Sequence, residues 1–342
     1  MSTKSANREP TLVDVAKVAG VSRATASRVI NGVATVDQAM VKAVQEAVKV
    51  TGYTPNSAAR SLVSGKTGSI ALVLSGSDGS AEQVFGDPFF GRIAGGVVKH
   101  LSTEGIHPLL VLADSDEARA KAVAFVRKGG ADGALLVSTH ADDALPGQFV
   151  EEGLPAVLFA RPGRPTPISF VDLDHDKGAA LAAERLVGRG CRNVATISGP
   201  SAVLAARDRE QGFRQAMAQH GRPYVPVAIG NFTRESGELA MMRLLRDHPD
   251  LDGVFVANDL MAEGALQVLR DHGRRVPEDV AVVGFDDSLP ARQAEPGLTT
   301  IAQPLEEMSA EMARLLLARI ADPTIEPTSV IFAPRLVVRQ SA

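Results

Sequence analysis

The sequence predicts a small all-α head joined to a larger α/β body built on parallel sheets. Three observations carry this expectation. Residues 11–62 set their apolar side chains at helical spacing on short segments separated by turn residues. From residue 69 onward, short apolar runs alternate with longer amphipathic stretches, the pattern of strands and helices that share a doubly wound sheet. The 342 residues exceed one small domain, and a 45% hydrophobic content can fill more than one core.

In the head, Leu12, Val15, Ala16, Ala19, Val21, Val29 and Ile30 fall on one side of two short helices. Gly20 interrupts them, where a tight turn needs a residue free to take positive φ. Ser22 is placed to cap the second helix, and Arg23-Ala24-Thr25-Ala26-Ser27-Arg28 gives that helix a small, polar outer face. Such a helix suits a DNA major groove: it is slim, and its arginines can reach guanine edges and phosphates. Residues 37–51 predict a third helix capped by Asp37, with Met40, Val41, Val44, Ala47 and Val48 as its buried stripe. The Gly52-Tyr53-Thr54-Pro55 stretch ends it. Residues 56–63 then offer a second start, with Asn56 as cap and Ala58, Ala59 and Leu62 on one side. That piece is too short to be helical alone and needs something to pack on it. Residues 64–68 read as a flexible linker.

In the body, strands are expected at 70–74, 109–112, 133–137, 156–159, 194–197, 253–257 and 280–285. Helices are expected at 89–104, 117–128, 177–189, 210–220, 236–247, 261–272 and 306–320. The length suits two lobes, and ligands of such sheets bind at the carboxyl ends of the strands, so a cleft between lobes is the natural site. Asp87-Pro88 begins a helix, with Asp as cap and Pro at the first helical position.

Charge is divided unevenly. Residues 1–66 hold nine Lys/Arg against four Asp/Glu, so the head carries +5 and the remainder −9 within a total of −4. A basic head on an acidic body fits a nucleic-acid module joined to a regulatory domain. The single Cys191 excludes an intramolecular disulfide and a four-cysteine zinc site. With no signal peptide and no apolar run of membrane-spanning length, the chain is expected in the cytoplasm and off the membrane. Enzyme readings find little support. Gly65-Lys66-Thr67 imitates the end of a phosphate loop, but Arg60 stands where its first glycine belongs. The seven histidines lack metal spacing, and there is no Gly-x-Ser-x-Gly elbow. Neither catalysis nor a cofactor or metal is expected.

TLVDVAKVAGVS, ATASRVING, GYTPNSAARSL, VFVANDLMAEGAL and VAVVGFDD, in this order along the chain, resemble the lactose-repressor (LacI/GalR) family of bacterial transcription regulators. The resemblance implies a helix-turn-helix domain over 1–55, a hinge helix and linker over 56–67, and a periplasmic-binding-protein-like effector and dimerisation domain over 68–342. It implies an N-lobe of about 68–171 plus 303–329 and a C-lobe of about 172–302 plus 330–342, with three crossings. The DNA-facing candidates are Thr11, Ser22, Arg23, Ala24, Thr25, Ser27, Arg28, Asn31, Tyr53, Asn56, Ala59, Arg60 and Leu62. Leu62 matches the family's minor-groove wedge, a device that bends DNA.

The effector candidates are Asp87, Phe89, Phe90, Arg161, Arg209, Phe232, Asn258, Asp286 and Gln303. Arg209, three residues before Gly212, matches the arginine that reaches the effector, and its fork can grip adjacent hydroxyls or a carboxylate. Asn258-Asp259 and Asp286-Asp287 follow apolar strands, where one member of each pair could cap a helix and the other bind. Ala160 stands where some sugar-responsive members carry a carboxylate or amide, and Arg161 follows it.

The function expected is a homodimeric DNA-binding regulator, a repressor of carbohydrate-use genes. It would bind pseudo-palindromic operator DNA and answer to a carbohydrate effector held between the lobes. A transporter's solute-binding protein is the alternative; it would have no use for residues 11–62. No leucine-rich segment follows Gln340, so a dimer without a tetramerisation helix is expected.

Overall fold

The computed structural model describes residues 10–30, 36–54, 65–75, 84 and 86–342. The chain divides into two compact units, Met1–Thr67 and Gly68–Ala342.

The first unit holds three helices: α1 (Leu12–Ala19), α2 (Arg23–Ile30) and α3 (Gln38–Thr51). Thr11 opens α1 by donating its backbone N–H and its hydroxyl to Asp14, at 2.8 and 2.6 Å. Gly20 turns the chain out of α1 at φ 65°. The Ser22 hydroxyl accepts from the Thr25 N–H at 3.1 Å and so caps α2. Val15, Ala16, Ala26, Val44 and Ala47 form the core, and Leu12, Val29, Ile30, Val48 and Tyr53 pack around it. Met40 departs from expectation: it is 46% exposed, because it sits in the first turn of α3 before the buried stripe begins at Val41 and Val44.

The second unit carries two six-stranded sheets. The first contains β1 (Ser69–Ser75), β2 (His107–Ala113), β3 (Ala134–Ser138), β4 (Ala156–Phe159), β5 (Ser169–Leu173) and β11 (Ser329–Phe332). Its order is β11-β5-β4-β3-β1-β2, parallel throughout. The second contains β6 (Val194–Ser198), β7 (Val227–Ile229), β8 (Gly253–Val256), β9 (Ala281–Asp286), β10 (Thr299–Ala302) and β12 (Arg335–Val337). Its order is β12-β10-β9-β8-β6-β7, and only the β12–β10 pairing is antiparallel.

The helices of this unit are α4 (Pro88–Thr103), α5 (Asp116–Arg127), α6 (Leu145–Glu151), α7 (His175–Gly188), α8 (Leu204–Gln219), α9 (Arg234–Asp247), α10 (Asp259–Asp271), α11 (Leu289–Gln293) and α12 (Leu305–Ala321). The central strands β1, β3, β4, β6, β8 and β9 are buried almost throughout, which is why each reads as an apolar run.

Two lobe boundaries shift from expectation. β5 runs to Leu173 inside the first sheet, and β11 also belongs to it, paired from Ser329↔Phe170 to Phe332↔Leu173. The first lobe therefore extends past 171 and past 329. The physical reason is that each last strand completes its ladder to the sheet's carboxyl edge before the chain crosses. The three crossings fall near residues 174, 303 and 333.

α7 and α8 meet at the first crossing with almost no space between backbones. A Cβ on Gly212 would lie 2.6 Å from both the Cα and the carbonyl oxygen of Asp176. Gly212→Ala should therefore force the two helices apart and destabilise the protein by roughly 1–3 kcal/mol. A lower urea midpoint at unchanged slope would register this, and a wild-type midpoint would contradict the close approach.

Candidate functional site

Both sheets reverse their strand order at a first strand flanked on either side, β1 between β2 and β3, and β6 between β7 and β8. Ligand sites of open α/β sheets form beyond the carboxyl ends of strands at such reversals. A cavity of about 940 Å³ lies there between the lobes. Its walls come from residues just past strand ends: Thr139 and His140 after β3, Ala160 after β4, His175 after β5, Pro200 after β6, Asn231 and Phe232 after β7, Asn258 after β8, Asp286 at the end of β9 and Gln303 after β10.

The sequence candidates Asp87, Phe89, Phe90, Arg209, Phe232, Asn258, Asp286 and Gln303 all line this cavity. Phe89 and Phe90 meet edge to face at 5.1 Å, and Phe89 meets Phe159 the same way at 5.6 Å, so the first lobe offers an aromatic wall. The second lobe offers polar groups. Arg209 is buried on α8; its Nη1 donates to the Ala257 carbonyl at 2.5 Å and lies 3.6 Å from Asp286 Oδ1. Its Nε donates to His175 Nδ1 at 3.2 Å, and its guanidinium sits 3.8 Å from the centre of the Phe285 ring. Gln303 Nε2 donates to Asp286 Oδ1 at 2.5 Å. Arg92, on α4, ties the lobes behind the cavity by donating to the carbonyls of Asp286 and Gln303 and to both carboxylate oxygens of Glu306.

Arg161 departs from the expected set. It does not line the cavity; its two terminal nitrogens grip both carboxylate oxygens of Asp208 on α8. The choice within the Asn-Asp and Asp-Asp pairs resolves unevenly. Asn258 caps α10 by accepting from the Met261 N–H at 2.9 Å, and it also donates to the Phe232 carbonyl at 3.0 Å. Asp259 turns inward to Thr300 and Ser288. Neither Asp286 nor Asp287 caps α11, and Asp287 binds Arg339 at 2.5 Å instead. Of the two arginines near Gly212, Arg207 is exposed and Arg209 buried.

His175, Asp172, Arg92 and Asp208 went unread in the sequence. Only the position of His175 just past a strand end could have drawn attention, and β5 itself was not foreseen.

Backbone strain gathers at the same place. Among the described residues, the non-glycine positions at positive φ are Ala160 (73°), Phe232 (68°), Asp286 (115°) and Asp287 (50°). Three line the cavity and the fourth adjoins it. Each such residue costs on the order of 1–3 kcal/mol and persists only where its surroundings hold it.

In the first unit, Arg23, Ala24 and Arg28 are exposed on α2, with Thr25 and Ser27 half-buried beside them. Thr11 and Ser22 serve as caps, and Tyr53 packs on the core. Asn31, Asn56, Ala59, Arg60 and Leu62 lie outside the described residues.

Burial lifts the carboxyls around the cavity. Asp259 is pushed up to about 8 by burial and then by the charge of Asp286, and burial likewise raises Asp286 against the pull of Arg209. Burial pulls His175 down, with Arg209 adding to it, so the imidazole stays neutral and can accept from Arg209. Burial raises Asp87 from 3.8 to about 7, opposed by the Phe89 N–H and reinforced by Asp286. In the folded state Asp87 keeps a proton that the unfolded chain releases near pH 4, so its contribution to stability declines as pH rises from about 4 to 7. Asp87→Asn preserves the cap and removes the titration. It should flatten that decline and stabilise the protein at pH 8 by up to a few kcal/mol. Urea midpoints at pH 5 and pH 8 decide; a pH profile identical to wild type would refute this account of Asp87.

The family described as bacterial regulatory proteins, lacI family, matches residues 11–56, and the periplasmic binding protein-like domain family matches residues 183–342. The HTH-type transcriptional regulator CelR of Thermobifida fusca is 45% identical over 338 residues, 98% of each chain. The ribose operon repressor of Halalkalibacterium halodurans is 32% identical, covering 97% of this chain and 96% of its own. A solved CelR–cellobiose complex superposes with a TM-score of 0.76 at 43% identity, covering 97% of this chain and all of that one. A lac repressor dimer bound to operator and an anti-inducer superposes with a TM-score of 0.84 at 25% identity, covering 98% of this chain and 99% of the other. A helix-turn-helix unit, a two-lobed body with its cleft at the strand ends, and these relatives across nearly the full length agree: the protein belongs to the lacI family of bacterial transcription regulators.

Proposed function

We propose that the protein is a homodimeric repressor of carbohydrate-use genes. Its operator grip is released or tightened by an uncharged sugar, of the size of a disaccharide, held between the lobes. The observation that carries the effector reading is the cavity's division into an aromatic wall from Phe89 and Phe90 and a polar wall from Arg209, Asp286, Asn258 and Gln303. A sugar has an apolar ring face and a hydroxyl edge, and this pairing meets both. The volume of about 940 Å³ lies at the upper end of small-molecule sites, roughly 300–1,000 Å³, with room for two sugar rings.

Charge favours a neutral sugar over a phosphorylated one. Arg209 is matched by Asp286, and Arg234 at the rim by Glu238 and Glu263, while Asp87 adds a carboxyl. A relative solved as a cellobiose complex makes that disaccharide the first probe. Phe232 and Asp87 complete the contact set. Arg161 leaves it, because its fork is committed to Asp208.

Dimerisation is supported by apolar side chains left exposed along one edge of each sheet. Leu109 and Leu110 on β2 stand in the first lobe, and Ile229 on β7 in the second, with Leu239 and Met242 exposed on α9. A second copy would cover such edges. On the DNA side, Arg23, Ala24, Thr25 and Arg28 would face base edges and phosphates, with Ser22 and Ser27 on the backbone. Thr11, Asn31, Tyr53, Asn56, Ala59 and Arg60 would add flanking contacts, and Leu62 would wedge the minor groove. Effector binding would shift the lobes and thereby the hinges, changing DNA affinity only as far as the effector distinguishes the two states.

Selection from random duplexes should return an inverted repeat, bound with an affinity that falls steeply with salt as counterions are released. A site without dyad symmetry, or an affinity indifferent to salt, would remove the DNA reading. Leu62→Ala should reduce bending and weaken operator binding by a few kcal/mol while sparing effector affinity. Arg209→Lys and Asp286→Asn should still bind operator but lose roughly 1.5–3 kcal/mol of cellobiose affinity by calorimetry. Wild-type affinity in both would move the effector site elsewhere.

A further inference from the structure

We propose that Arg161 and Asp208 form a latch between the lobes that positions Arg209 for the effector. Arg161 follows the left-handed turn at Ala160, on the lobe of β4. Asp208 precedes Arg209 on α8, in the other lobe. Successive helical residues point about 100° apart. Arg209 is thus turned into the cavity while Asp208 meets Arg161 outside it. The grip is a two-pronged one, one terminal nitrogen on each carboxylate oxygen, with Nη2–Oδ1 at 2.7 Å. Forked pairs of this kind fix orientation as well as distance.

The same two residues belong to a closed circuit. The Arg161 backbone N–H donates to Asp172 Oδ2 at 3.1 Å. Asp172 Oδ1 lies 3.5 Å from His175 Nε2, and His175 Nδ1 accepts from Arg209 Nε at 3.2 Å. Arg209 then returns along the α8 backbone to Asp208. Asp172 ends the first sheet's passage and His175 begins the second lobe's, so that link travels with the crossing itself. The Arg161–Asp208 link joins parts of the chain 47 residues apart and is the one in this circuit that a parting of the lobes must break.

Nearby contacts give the latch a firm seat. A Cβ on Gly163 would lie 1.9 Å from the Ala141 carbonyl oxygen, so the turn carrying Arg161 is pressed against the loop after β3. That loop reaches the other lobe directly, the Ala141 N–H donating to the Ala202 carbonyl at 2.9 Å. Asp172 and Asp176 are the other carboxylates facing Arg161.

The latch acts only through Arg209 and through lobe closure, so Arg161 is a positioning residue. Its role rests on the reading of Arg209 as an effector contact. A binding site whose competent state is less populated loses apparent affinity in proportion.

The test uses the full chain with four proteins: wild type, Arg161→Ala, Asp208→Asn and the double variant, each first shown by urea unfolding to be folded. Calorimetric titration with cellobiose should find each single variant about five- to tenfold weaker, and the double variant no more than about twofold weaker than the singles, since both remove one link. Singles at wild-type affinity, or losses that multiply in the double, would overturn the latch. If wild type itself ignores cellobiose, the choice of cellobiose as effector fails while the latch remains testable by hydrogen exchange without ligand. Amides of residues 205–212 should then exchange at least about fivefold faster in each single variant, with no further gain in the double. Unchanged exchange would overturn the latch on its own.

Discussion

A guanidinium buried where two lobes meet is the constraint on which the second unit turns. Arg209 is 5% exposed, and an arginine keeps its charge even there. Burial works against that charge, so every direction around it must answer. A carbonyl from β8's end, an imidazole from the start of α7, a carboxylate from the end of β9 and the face of Phe285 do so. These partners come from three separate passages of the chain. The two strand ends and the helix start must therefore converge to a few ångströms, and the parallel sheet is what brings its carboxyl ends into one line.

That requirement explains why strain collects at the same place. To turn Asp286 inward at the end of β9, the backbone takes φ 115°, and Asp287 follows at 50°. Asp287 is held there by Arg339 and Arg292, and Asp286 by Gln303 and, through its carbonyl, Arg92. The second sheet thus fixes its acidic turn partly with residues from the lobe crossing and from α4 of the other lobe. A change of lobe angle would be felt by the Arg92 bonds at once, because α4 belongs to the other lobe. Surroundings that fix a turn so firmly favour two discrete arrangements over a continuum.

How far the sequence disclosed this depends on burial. Central strands such as 253–257 and 280–285 are apolar on both faces and were legible as runs. β5, β7, β10, β11 and β12 were not, being three to five residues long, at or near sheet edges, or carrying a polar residue such as Asp172. α8 was expected from residue 210, yet it begins at Leu204; the charged stretch 207–210 masked its first turns, where Asp208 and Arg209 act. The cavity residues of the second lobe were legible because polar residues directly after apolar strands stand out. Arg161 stands apart from the cavity lining for the converse reason. Its position just past β4 matched the others, and only the conformation of the chain after Ala160 directs its fork to Asp208 rather than into the cleft.

The basic head and the acidic body meet these constraints with different economies. α1 to α3 bury few large side chains and rely on caps at Thr11, Ser22 and Asp37 to define short helices. On α2 this leaves Arg23, Ala24 and Arg28 exposed, and Ala26 at the inner face lets that helix sit close to its neighbours. The body instead turns many of its polar side chains inward. Arg92 and Arg161 each join residues that a shift in lobe angle would separate or realign. A ligand that adds contacts to both walls of the cavity strengthens the same arrangement these two arginines already define. On the function proposed above, its binding energy would enter the lobe equilibrium directly, with no separate relay required.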